Sequence, residues 1–155
     1  MLRLVIPFAL LLPQAALAVT CRDLEFEGLS YTACSVAAPE DLRLFLNGAD
    51  GPYGSFAAVD SALAAKGQQL AFAMNAGMYH PDRRPVGLYI ERGQQLSPVI
   101  TGASAGNFGM LPNGVFWIDA GKAGVSETLA FDERFKETPP RFATQSGQSR
   151  AAQRA

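Results

Sequence analysis

The sequence predicts an α+β domain: a mixed, mainly antiparallel twisted sheet with a few short helices. Three observations carry that expectation. Short apolar runs recur between clusters of Gly, Pro, Asn and Asp, which is the punctuation of strands and turns. Fifteen Gly and ten Pro in 155 residues place turns at close intervals. Helix-type spacing occurs only in two short stretches, around 55–67 and 131–137. A hydrophobic share of 48% against 17% charged residues describes a folded domain with a core. Thirteen basic and fourteen acidic residues give a net charge of -1, so the basic footprint of a nucleic-acid-binding protein is missing.

Residues 1–18 read as an export signal. Arg3 supplies the positive end, Leu4 to Leu12 the apolar core, and Ala16-Leu17-Ala18 the small-residue cleavage pattern. The apolar run is too short to span a bilayer in the mature protein. The alternative is a buried N-terminal strand or helix. Cleavage after Ala18 places Cys21 third in the mature chain, away from a lipid-anchored start.

Two cysteines in an exported chain suggest one disulfide, Cys21 with Cys34. Leu24, Phe26, Leu29 and Tyr31 alternate with polar residues about Gly28, so the bridge would staple a hairpin. Its expected contribution is about 3 kcal/mol. Two chemically active free thiols are the alternative, but no histidine stands near either in sequence.

Leu42, Leu44 and Leu46 continue a strand-like alternation before the turn signals Asn47-Gly48 and Asp50-Gly51. A helix capped by Ser55 should follow, with Phe56, Val59 and Leu63 as its apolar stripe and Gly67 at its end. Then comes the stretch around which the chain is organised, 70–91. An apolar strand, Leu70 to Met74, stops at Asn75-Ala76-Gly77. A turn-rich segment follows, and a second apolar run, Val86 to Ile90, ends at Glu91. Hydrogen-bonding groups on a connection between two strands are well placed for binding or catalysis.

Arg92-Gly93 reads as a hairpin turn, and 94–100 returns from it until Pro98 interferes. A flexible polar loop, 101–106, leads to Asn107-Phe108-Gly109 and to a tight turn at Asn113-Gly114. Val115 to Ile118 is apolar on both faces, so it belongs inside the sheet with cover on each side. Residues 124–130 suggest another strand and 131–137 a helical turn, before Pro139-Pro140 and the polar run Arg141 to Gly147. The last eight residues, Gln148 to Ala155, carry no core pattern. The domain, 19–147, is therefore expected to be incomplete, with 148–155 as an aberrant tail. Residues beyond Gly147 would be needed to finish the cover over the 115–118 strand.

Three segments, FAMNAGMYHPDRRPVGLYIERG, GNFGMLPNGVFWI and ATQSG, together resemble the bacterial phosphodiester glycosidase family. That family is related to the lysosomal uncovering enzyme, which removes N-acetylglucosamine from phosphomannose. The resemblance covers about residues 21–147, and its three signatures occur in order. It departs after Gly147, where the family continues QSG with Pro and an apolar strand. This chain has Gln148-Ser149-Arg150 instead, as a truncated or frame-shifted copy would.

The resemblance implies hydrolysis of a sugar-1-phosphodiester in envelope or extracellular glycans, in a periplasmic or secreted setting and without a cofactor. Water replaces phosphate at the sugar carbon. The leaving group is a weak base, so the site must mainly stabilise an oxocarbenium-like sugar and hold the departing phosphate. Asn side chains and backbone N–H groups near Gly suit the second task. The expected catalytic residues are Asn75, Glu91 and Asp82, with Gly77, Arg83, Asn107, Asn113, Gln145, Ser146 and Gly147 binding substrate.

Each has a plainer alternative. Asn75 and Gly77 would shape a strand end, and Asn113-Gly114 a turn. One of Arg83 and Arg84 would be solvated, the lone His80 exposed beside Pro81, and Glu91 and Asp82 would be surface charges. No His or Cys pair has metal-ligand spacing, and Gln145-Ser146-Gly147 is not a nucleophile elbow. A non-catalytic saccharide-binding protein of an exopolysaccharide system is the rival from another class. The expected partner in either case is a sugar phosphodiester or glycan. Nucleic acid and a membrane span after signal removal are not expected, and the oligomeric state is left open.

Overall fold

The structure, a computed structural model, describes residues 19–37, 42–103 and 113–146. The export signal, Asn107, Gly147 and the tail 148–155 lie outside the described residues, as does the side chain of Ser146. The fold is α+β, as the turn-rich, strand-rich sequence predicts.

The chain opens with a hairpin of β1 (Val19–Phe26) and β2 (Leu29–Val36). Phe26 pairs with Leu29, leaving Glu27 and Gly28 as a two-residue turn with φ of 51° and 74°. Positive φ at both positions matches the right-handed strand twist. Cys21 and Cys34 face each other across the ladder and are bridged, as expected. The alternating apolar residues do not reach a core: Phe26 and Leu29 are 60% and 61% exposed.

Two-residue strands follow, β3 (Asn47–Gly48) and β4 (Gly51–Pro52); the turn between them is Ala49-Asp50, so the expected turn signal Asn47-Gly48 lies in a strand instead. Helix α1 (Phe56–Ala64) is capped by Ser55, whose hydroxyl accepts from the Ala58 N–H at 3.2 Å. Val59 and Leu63 are buried, but Phe56 is 51% exposed and leaves the expected stripe.

The main sheet contains β5 (Tyr89–Glu91), β6 (Gln94–Ser97), β7 (Gly114–Asp119), β8 (Lys122–Glu127) and β9 (Phe142–Ser146). Its order is β6-β5-β9-β7-β8, and every pairing is antiparallel. The last described strand therefore sits in the middle, between two hairpins. Helix α2 (Thr128–Phe135) starts earlier than the sequence suggests. The Glu127 carboxylate caps it by accepting from the N–H groups of Leu129 and Ala130, so the strand expected over 124–130 ends at Glu127.

Alternation along the strands gives the sheet two faces. On one, Ile90, Val115, Trp117 and Ala143 pack under Leu88 and the α2 residue Phe131. Trp117 donates its indole N–H to Ser126 at 2.9 Å and lies against Phe135. Gly124 is opposite Trp117, and a Cβ there would come within 2.6 Å of the ring. On the other face, Tyr89, Ile118 and Phe142 pack against Leu44, with Leu42 and Leu46 beside it. Phe116 meets Phe142 edge-on at 5.7 Å.

Strand β7 thus has a neighbour on each side and cover on both faces, as its apolar pattern requires. Among the described residues the cover comes from α2 and the Leu42–Leu46 stretch. Three strand expectations fail. Residues 42–46 pack on the sheet without joining a ladder, and the residues from Leu70 to Met74 join none either. Val86–Leu88 also stays outside β5. A strand exists only with a partner, and no described strand runs alongside Leu70–Met74.

Candidate functional site

Beyond the Leu44 cluster the second face opens into a groove of about 790 Å³. Phe116, Phe142 and Thr144 are at its sheet side, with walls from the 42–46 stretch, α1 and residues 70–79. Most of the lining is apolar. The lining side chains that carry charge are Arg43 and Arg83, and no carboxylate is among them.

The 75–77 turn is attached to the sheet through Thr144, whose hydroxyl donates to the Ala76 carbonyl at 3.0 Å. Gly77 lies so close that a Cβ would fall 2.9 Å from the Thr144 Oγ1 and 3.4 Å from the Gln145 carbonyl. A side chain at 77 would therefore lift the turn off the sheet. Asn75 is exposed at the groove.

A small hairpin follows. The Val86 N–H donates to the Met78 carbonyl at 2.9 Å, and Tyr79 bridges to Pro85. The Arg83 N–H closes a turn onto the His80 carbonyl at 2.8 Å, with Pro81 in the second position where its fixed φ fits. Arg83 then takes a φ of 70°, a position that usually belongs to Gly or Asn. Its guanidinium lies 5.0 Å from the centre of the Tyr79 ring. Arg84 differs: its Nε donates to the Asp82 carboxylate at 2.6 Å, which holds the Asp82 pKa below the usual carboxylate value. Of the two adjacent arginines, one is paired and the other faces the groove.

The remaining predicted residues are elsewhere. Asn113 and Gln145 belong to the helix face and are 5% and 0% exposed. The Gln145 amide joins three segments. Its Oε1 accepts from the Leu88 N–H at 3.2 Å and the Ile100 N–H at 3.0 Å. Its Nε2 donates to the Ile100 carbonyl at 2.7 Å. The Thr128 hydroxyl donates to the Asn113 side chain and is 3.5 Å from the Gln145 Nε2. This network fastens the start of α2, the 98–100 stretch and β9 to one another. Glu91 is on the groove side of the sheet, but one pair further along, opposite Phe142. It accepts from the Tyr89 hydroxyl at 3.3 Å. Burial raises the Tyr89 phenol pKa far above its ordinary value, and the Glu91 charge and hydrogen bond raise it further. Neither Glu91 nor Asp82 lines the groove.

The structure therefore brings Asn75, Gly77 and Arg83 together and separates them from Asn113, Gln145, Glu91 and Asp82. Sequence reasoning missed Thr144, Tyr79 and Arg43. Thr144 was within reach, because strand alternation places it on the face opposite Gln145.

No family model matches the chain, and no solved structure matches it. A search of curated proteins finds the "Uncharacterized protein YigE" of Escherichia coli (strain K12), 36% identical over 109 residues. The match covers 70% of this chain and 41% of that relative, so the chain spans less than half of the relative's length.

Proposed function

We propose that the protein, or the longer protein its sequence represents, is a phosphodiester glycosidase acting on a sugar-1-phosphodiester of envelope or extracellular glycans. One observation carries the reading. The most specific of the resembling motifs forms one side of a groove whose charged lining side chains are both arginines. Asn75 and the N–H groups beside Gly77 offer donors to a phosphate oxygen, and Arg83 offers a cation from the hairpin next to them. In the reaction the bond between the sugar carbon and the phosphate oxygen breaks. Water supplies the new hydroxyl, and the phosphate leaves as a monoester. Donors placed where that negative charge develops stabilise the departure.

A specific observation favours the rival reading of a saccharide-binding protein. Hydrolysis wants a carboxylate to assist water. Asp82 is engaged by Arg84 and Glu91 by Tyr89, and both are outside the groove lining. Both readings retain sugar phosphate, and turnover separates them. In a full-length relative, Asn75→Ala should reduce sugar release by a factor matching about 2.7–4 kcal/mol, the usual cost of one preorganised donor. Release within a few-fold of the parent would return Asn75 to a structural role.

The proposed setting is the periplasm or the exterior of the cell. The Cys21–Cys34 bridge suits an oxidising compartment. The exported protein should begin at Val19, and its intact mass should rise by about two daltons on reduction of the single bridge. A product that keeps residues 1–18 would contradict the export reading.

A further inference from the structure

The turn that carries Asn75 is built from three residues in three different surroundings. Asn75 is exposed at the groove. Ala76 is half-buried and packs against the cluster of Leu44, Tyr89, Ile118 and Phe142. Gly77 lies against β9, where a Cβ would meet the Thr144 Oγ1 at 2.9 Å. The Gly77 φ is not left-handed, so space and not backbone conformation excludes a side chain there.

One polar contact holds this turn to the sheet. Among the described residues, the main chain from Ala71 to Gly77 makes a single hydrogen bond, accepted by the Ala76 carbonyl from the Thr144 hydroxyl at 3.0 Å. The next main-chain anchors are the Leu70 N–H on the Asp60 carboxylate and the Met78 carbonyl under the Val86 N–H.

Thr144 itself is firmly placed. It sits on the central strand, opposite Tyr89 of β5 and Phe116 of β7, and is 6% exposed. The next residue, Gln145, donates its N–H to the Leu88 carbonyl at 3.0 Å and is fastened by its amide on the helix face. A β-branched side chain on such a strand is stiff at χ1, so the hydroxyl is a fixed donor.

We propose that Thr144 is a positioning residue of the site. Its hydroxyl, acting through the Ala76 carbonyl, sets the Asn75 amide and the Gly77 N–H for the phosphate of the ligand. This role rests on the reading of the groove as a sugar-phosphodiester site. The contribution is preorganisation. Without the tether the turn must be ordered at the moment of binding, and ordering even one backbone residue weakens affinity by about tenfold. Gly77 is the condition for the tether, because only a residue without a side chain lets the turn come this close.

Isothermal titration with the methyl diester of N-acetylglucosamine 1-phosphate reads the affinity, and ¹⁵N relaxation of the free protein reads the order of the turn. Thr144→Val keeps the shape and removes the donor. It should raise Kd by about tenfold and lower the order parameters of the Asn75 and Gly77 amides, with the Trp117 emission unchanged. Thr144→Ser restores the hydroxyl and should recover most of the affinity. Gly77→Ala disturbs the same contact from the other side. Combined with Thr144→Val it should lose little more than the worse single variant, since both changes break one interaction. Equal affinity of Thr144→Val and wild type would overturn the role and leave the sugar-phosphodiester reading standing. A loss that Thr144→Ser does not recover, or order parameters unchanged in Thr144→Val, would also overturn it, since the hydroxyl would then not hold the turn. A wild type that ignores the diester, with its Asn75 and Gly77 amides ordered, would overturn the reading of the groove and this role with it.

Discussion

The two faces of the main sheet use similar residues to opposite ends. Under α2, Val115, Trp117, Ala143 and Gln145 are closed off, and every hydrogen bond of the Gln145 amide stays inside the protein. On the other face Phe116, Phe142 and Thr144 end in a groove where Asn75 and Arg83 are exposed. Side-chain amides thus occur on both faces. The difference lies in what the amide meets: folded backbone on one face, open space on the other. A polar residue in a specific-looking motif is evidence of a site only after its partners within the fold are counted.

That contrast can be broken from the helix side first. Gln145→Leu keeps the volume but orphans the Leu88 N–H, the Ile100 N–H and the Ile100 carbonyl. Each lost partner costs about 1–3 kcal/mol, so urea unfolding should show a loss above about 3 kcal/mol. A loss under about 1 kcal/mol would mean that the amide does not hold these segments together.

Arg83→Gly probes the groove side and should separate stability from binding. Glycine accepts the φ of 70° without strain, so stability should hold or rise by about 1 kcal/mol. Affinity for a sugar-1-phosphodiester should fall, since the arginine facing the groove is gone. Equal affinity in isothermal titration would remove Arg83 from the site.

The smallest effect belongs to Tyr89→Phe, and it should show in the pH dependence. The folded-state phenol pKa is raised, so this group's contribution is fully present below the unfolded value of 10.0 and is lost as pH rises above it. Wild type should lose stability in that alkaline window, and Tyr89→Phe should lose less. At neutral pH the variant should differ by no more than about 1 kcal/mol, because the hydrogen bond to Glu91 is long at 3.3 Å. An unchanged alkaline slope would mean that Tyr89 is not the group responsible.

Much of the fold was legible because its signals are local. The Glu27-Gly28 turn, the Ser55 cap, the Arg92-Gly93 hairpin and the doubly covered strand at Val115–Ile118 all rest on residues within a few positions of each other. Elements that depend on distant partners were not legible. Leu70–Met74 has the composition of a strand, but strand identity is conferred by a neighbour. The start of α2 was hidden because a carboxylate at Glu127 performs the capping, at the end of a strand. For the site, the 75–83 stretch was legible as a polar connection. The roles of Gln145 and Asn113 were not, because their partners Leu88, Ile100 and Thr128 come from three other segments.

Side-chain amide resonances offer the most direct test of the division between the faces, since Asn75, Asn113 and Gln145 each have an NH₂ group visible in an ¹⁵N correlation spectrum. The chain would be titrated with an N-acetylglucosamine-1-phosphodiester. The account predicts that Asn75, the Gly77 amide and the Arg83 Nε–H shift together and saturably, while the Asn113 and Gln145 amides stay in place. Shifts at Asn113 and Gln145 with Asn75 unmoved would contradict it, and would transfer the site to the helix face.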